Sequence, residues 1–151
     1  MDRVGQIFAD PRHGQILALS GLALLAAWVF AIDMPLWRPA VAIAAALAVQ
    51  LAASRAAGIP FDWRSPVISA LSLTLLLRTD GALLVALAAL IAIGSKFTIR
   101  LKGRHIFNPT ALGIVAVVSL FDGAWISPGQ WGAEGLALIV AAGAGLAVTY
   151  G

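Results

Sequence analysis

No cysteine occurs in the 151 residues. That absence excludes disulfides, a thiolate zinc site, and an iron–sulfur cluster or haem thiolate ligated by this chain. Histidine is scarce as well, with His13 and His105 as the whole complement, which leaves little for a metal or haem centre. Charge is the third shortage: 11% of residues are Asp, Glu, Lys or Arg, against about a quarter in soluble domains. With 61% apolar residues, too few polar side chains are present to cover a water-exposed surface, and the composition predicts lipid as the solvent. The formal charge of +3 reads as a signal of membrane orientation and not of nucleic-acid binding.

What is present is a series of about six apolar segments separated by charged or Gly/Pro islands: Ile16–Ile32, Ala40–Ala53, Pro66–Leu77, Ala82–Gly94, Thr110–Phe121 and Gly135–Tyr150. The first runs 17 residues without a charge. It has no small-residue cleavage site after it, so it predicts a retained membrane helix and not a secretory signal. The third, fourth and fifth segments are too short to cross the roughly 30 Å of hydrocarbon as upright helices, and predict short, tilted or incomplete ones. Prolines 35, 39, 60, 66, 109 and 128 stand at or before segment starts, where proline is tolerated. No repeat and no Ser/Gly-rich linker divides the chain. The expectation is an all-α polytopic transmembrane bundle forming one membrane domain over 1–151, with residues 1–14 as a cytoplasmic N-terminal segment. The last segment runs to Gly151 with no basic stop or polar tail, as expected of a fragment or the ordered part of a longer chain.

Lys and Arg alternate strongly between islands. Arg3, Arg12, Arg55, Arg64, Lys96, Arg100, Lys102 and Arg104 fall on the N-terminal side, eight in all, against two, Arg38 and Arg78, on the other. This bias places the N-terminus, the 54–65 loop and the 95–109 loop in the cytoplasm of a bacterial-type inner membrane. If segments three and four form a hairpin that does not fully cross, the parity is unchanged and Arg78–Gly81 becomes a turn at membrane depth. The five tryptophans, residues 28, 37, 63, 125 and 131, mostly flank apolar runs as interfacial anchors. Asp33, Asp62 and Asp122 lie in islands and are expected to be solvated. Glu134 opens segment six, where a carboxylate favours a helix start.

Two stretches carry candidate chemistry. Asn108-Pro109 predicts a capped helix start. Its free N–H groups and partial positive charge stand beside Lys96, Arg100, Lys102 and Arg104, a place that attracts anions. One reading is a cofactor phosphate site; the other is a topology loop touching anionic headgroups. Arg78-Thr79-Asp80-Gly81 is the second stretch, since an Arg and an Asp between short apolar runs must pair, reach water or meet a ligand. The alternative is an ordinary extracytoplasmic turn. His105 is placed to donate to a flavin carbonyl or to relay a proton, or does neither. No independent active site is identifiable.

The stretch Gly103-Arg104-His105-Ile106-Phe107-Asn108-Pro109-Thr110-Ala111-Leu112-Gly113 resembles the G-[KR]-x-[ILV]-[FL]-N-P-[AT]-x-x-G signature of the NqrB/RnfD family, membrane flavin subunits of sodium-pumping NADH:quinone oxidoreductases and Rnf electron-transport complexes. Pro66–Arg78 is similar to the family's S/T-A-L-x-x-x-L-L-L segment, and Ser127–Gly132 to a loop of its short members. The resemblance covers about residues 60 to 135. It implies a membrane subunit of an electron-transport complex, possessing one half of a fold usually built from two, and Arg78, Thr79, Lys96, Arg100, Arg104, His105, Asn108 and Thr110 as cofactor-binding candidates. The Ser-Gly-x-Thr element that carries covalent FMN in the family is missing from residues 114 to 151, where Thr149 is the sole threonine. The flavin implied is therefore noncovalent FMN or riboflavin. The alternative is a non-catalytic accessory subunit of a larger respiratory or photosynthetic membrane complex, packed through small-residue faces such as the Ala-rich second segment. A transporter for a small anion or vitamin is a third reading, resting on broken helices beside a basic mouth. The expected partners are the lipid bilayer and other subunits, with no nucleic acid.

Overall fold

Helices cover five of the six apolar stretches in a computed structural model that describes residues 10–28, 34–101 and 104–126. The sixth stretch lies outside the described residues. The chain divides into two compact units, Met1–Met34 with Pro128–Gly151, and Pro35–Ser127. In the first unit, helix α1 spans Pro11–Trp28. Asp10 caps it by accepting from the Arg12 N–H at 3.0 Å, as a short carboxylate before a helix does.

The second unit contains α2 (Trp37–Ala56), α3 (Arg64–Leu76), β1 (Leu77–Thr79), α4 (Ala82–Thr98), β2 (Arg100–Leu101), β3 (Arg104–His105), α5 (Pro109–Leu120) and β4 (Ala124–Ile126). Proline acts where expected, within the first turns of α2 and α3 and at the first position of α5. Helix α2 stops at Gly58, whose φ of 65° lets the chain close back: Ala57, Gly58 and Ile59 donate to the carbonyls of Ala53, Arg55 and Ser54. Asp62 differs from a simply solvated island residue. It is half-buried, accepts from the Arg64 N–H at 3.1 Å and pairs with the Arg64 guanidinium at 3.5 Å.

Helix α4 is the centre of the unit and packs against α2, α3 and α5. The core is alanine-rich, with Ala42, Ala46, Ala70, Ala88, Ala89 and Ala92 filling the contacts between larger Leu73, Ile93, Ile114 and Val117 side chains. Small side chains bring helix axes close, so backbone lies near backbone. One such close approach is at Gly113 on α5, which has no room for a side chain against Ala88 and Ala92 of α4.

Helices α3 and α5 have 13 and 12 residues, and each is followed by extended chain. The two extended pieces, β1 and β4, pair antiparallel with Leu77 opposite Ile126, Arg78 opposite Trp125 and Thr79 opposite Ala124. The Asp80 N–H donates to the Gly123 carbonyl at 2.9 Å and prolongs the ribbon. Arg78–Gly81 is thus more than the expected turn: its first half is a buried strand.

Among the described residues one helix, α2, is long and apolar enough to cross a membrane; α3, α4 and α5 are shorter apolar helices. The fold is mainly helical, as its composition implies.

Candidate functional site

The sequence-predicted site residues fall at the two ends of the second unit and do not form one site. Lys96 Nζ donates to Ser65 Oγ at 2.7 Å, tying the end of α4 to the start of α3. Arg38 Nη2 donates to the Thr79 carbonyl at 3.1 Å, tying the start of α2 to β1. Arg55, Arg64, Lys96 and Arg100 therefore gather at one end, and Arg38 and Arg78 at the other, the length of α3 away, roughly 20 Å.

At the first end, Asn108 caps α5 as its sequence predicts. Its Oδ1 accepts from the N–H groups of Thr110 at 3.0 Å and Ala111 at 3.3 Å. Leu112 N–H donates to the Asn108 carbonyl at 3.0 Å, and Pro109 has no N–H. The expectation of free N–H groups facing an anion is overturned here, because the cap satisfies the donors of the first turn itself. Thr110 is buried beneath the cap. Two of the expected cations are also engaged locally: besides the Lys96 contact, Arg100 Nε donates to the Lys96 carbonyl at 2.6 Å and its guanidinium lies 5.9 Å from the Phe97 ring. Arg104 and His105 belong to β3, whose backbone pairs with β2 through Arg100 opposite His105 and Leu101 opposite Arg104. Lys102 lies outside the described residues. Among the described residues, the first turn of α5 keeps no spare N–H for a flavin phosphate.

Replacing Asn108 with Ala is expected to lower stability by about 1 kcal/mol, the usual worth of such a cap. A thermal melt in detergent measures it. An unchanged midpoint would mean that Pro109 alone fixes the helix start.

At the second end Arg78 is 2% exposed. Its expected alternatives were a carboxylate, water or a ligand, and what it meets includes backbone: Nη1 donates to the carbonyls of Thr74 at 2.9 Å and Leu77 at 3.3 Å. The first belongs to the last turn of α3 and the second to its C-cap residue, where carbonyls are orphaned and the helix dipole favours a cation. Thr79 is buried too, its Oγ1 donating to the Gly81 carbonyl at 3.0 Å, while Asp80 is exposed. The geometry gives both residues a structural task, holding a helix end and a ribbon in register.

Sequence reasoning passed over Gln50, which is 7% exposed on the inner face of α2. Its Nε2 donates to buried Ser54 at 3.4 Å, and its Oε1 is buried without a partner among the described residues. The signal was available: Gln50 is the sole polar residue in the run Ala40–Ala53. Among the described residues no group of three or more metal-ligating side chains occurs. Comparisons with protein-family models, with curated proteins and with solved structures give no match to this chain.

Proposed function

We propose that the chain is an integral membrane protein of about six segments, with its N-terminus and 95–109 loop cytoplasmic, serving as a subunit of a larger electron-transport complex and holding a flavin noncovalently. The observation that carries the membrane part is an uncharged exposed waist between two aromatic rims. On α2 the exposed stripe is Ala40, Ala44, Ala48 and Ala52; Leu83, Leu90 and Val115 are exposed on α4 and α5, and no charge lies between. Phe61 and Trp63 are exposed at one end, Trp37 and Trp125 at the other. Apolar surface of this extent, bounded by amphipathic rings, suits hydrocarbon flanked by two interfaces. The β1–β4 ribbon lies at the rim that holds Trp125: β1 is buried, and Trp125 and Ile126 of β4 are exposed there.

The electron-transport part is supported by the resemblance of Gly103–Gly113 to the NqrB/RnfD signature. Of FMN and riboflavin, the filled first turn of α5 favours riboflavin, which has no phosphate to seat. Purification of the full chain in mild detergent is expected to give flavin absorbance that denaturation releases intact. A colourless preparation unable to take up either added flavin overturns this part.

The accessory-subunit reading is favoured by one specific observation, the local bonding of Lys96, Arg100 and the α5 first turn. It predicts a colourless chain that co-purifies with a stoichiometric membrane partner. A lone flavin-binding species contradicts it.

A further inference from the structure

The two ends of the second unit share exposed aromatics but differ in charge. At the Lys96 end stand Arg55, Arg64, Lys96 and Arg100, with Arg104 on β3 paired to β2, and the described carboxylate is Asp62, which pairs with Arg64. At the ribbon end Arg38 and Arg78 are balanced by Asp80 and Asp122. Among the described residues one end thus carries a surplus of four positive charges and the other carries none. The cations are spread over elements that meet at this end, with Arg55 leaving α2, Arg64 opening α3 and Arg100 leaving α4; Arg55 and Arg100 are exposed.

The same end presents exposed apolar side chains between its cations. Phe61 and Trp63 precede Arg64, whose guanidinium lies 5.6 Å from the Trp63 ring. Arg64 is itself engaged, since its guanidinium also pairs with Asp62 at 3.5 Å, and among the described residues the exposed cations of this end are Arg55 and Arg100. The α5 start, with its donors filled, does not compete with them for an anion. An interface that wants apolar rings at acyl depth and separate cations just above them is a layer of anionic headgroups.

We propose that this end is a binding surface for anionic phospholipid headgroups, built on Arg55 and Arg100 with Phe61 and Trp63 beneath them. The proposal rests on the membrane reading above and adds a lipid preference confined to one face.

The test uses the full chain reconstituted in vesicles with brominated phosphatidylglycerol or brominated phosphatidylcholine, read by quenching of tryptophan fluorescence. The expected result is a preference for phosphatidylglycerol that weakens with added salt. The preference should fall about fivefold for each cation removed in Arg55→Gln and Arg100→Gln, the equivalent of about 1 kcal/mol per surface cation. Arg55→Lys and Arg100→Lys should retain it, separating charge from any effect on folding. Equal quenching by the two lipids, or a preference unchanged in the Gln variants, overturns the headgroup surface and leaves the membrane reading standing. Quenching by neither lipid overturns both.

Discussion

Placing a methyl group on Gly113 is expected to destabilise the unit by about 2 kcal/mol, within the range for overpacking a filled contact. A Cβ there would stand 2.5 Å from the Ala88 carbonyl oxygen, 3.0 Å from the Ala92 Cβ and 3.3 Å from the Ala92 nitrogen. Two of these are backbone atoms of α4, so no side chain can turn away and the helices must separate. Separation opens the alanine contacts that make up the core around α4. The intrinsic gain of replacing a helical glycine, up to about 1 kcal/mol, does not offset that loss. Gly94 on α4 provides the counterpart: a Cβ there meets nothing within 4 Å. Gly94→Ala should therefore raise the thermal midpoint while Gly113→Ala lowers it and Gly113→Val lowers it further. Equal shifts at the two glycines would show that α4 and α5 do not pack as described.

Removing the Arg78 guanidinium is the second large effect. In Arg78→Met the carbonyls of Thr74 and Leu77 lose a buried donor. An unsatisfied buried acceptor costs about 1–3 kcal/mol, and the bonds lost are charge-assisted. Against this, the burial penalty of the charge is recovered, which limits the total. The expected net loss is about 2–4 kcal/mol, with Arg78→Lys in between because its ammonium keeps the charge near the α3 terminus but not the planar fork. Hydrogen exchange supplies a local readout. The Asp80 N–H, which closes the ribbon onto Gly123, should exchange faster in Arg78→Met. A variant more stable than the parent would mean that the burial penalty outweighs the cap.

Helix positions were legible because the signals are local. Asn108-Pro109 announces a capped start within two residues, and apolar runs ending at charges or glycine give α2 through α5 to within a few positions. The gathering of Arg55, Arg64 and Lys96 at one end also follows from helices that alternate in direction. The β1–β4 ribbon was not legible. It joins Leu77–Thr79 to Ala124–Ile126, and neither three-residue piece has enough length to show a strand period. For the same reason Arg78 read as part of a turn, whereas its burial depends on a pairing 45 or more residues away. The anion cradle failed for a different cause. The residue that best marks a helix start, an asparagine cap, is also the group that satisfies the donors such a cradle would need. The flavin expectation therefore stands on the resemblance at Gly103–Gly113 and not on the α5 start.

The most direct test of the membrane arrangement uses the absence of native cysteine, which makes every single-cysteine variant a clean probe. Ala57→Cys lies in the loop at the cation-rich end, Asp80→Cys beside the ribbon, and Ala48→Cys on the exposed waist of α2. An impermeant maleimide applied to sealed vesicles of either orientation should label Ala57→Cys from the cytoplasmic face, Asp80→Cys from the opposite face, and Ala48→Cys from neither. Labelling of Ala57→Cys and Asp80→Cys from the same face, or of Ala48→Cys as readily as the other two, would contradict a unit that spans the bilayer.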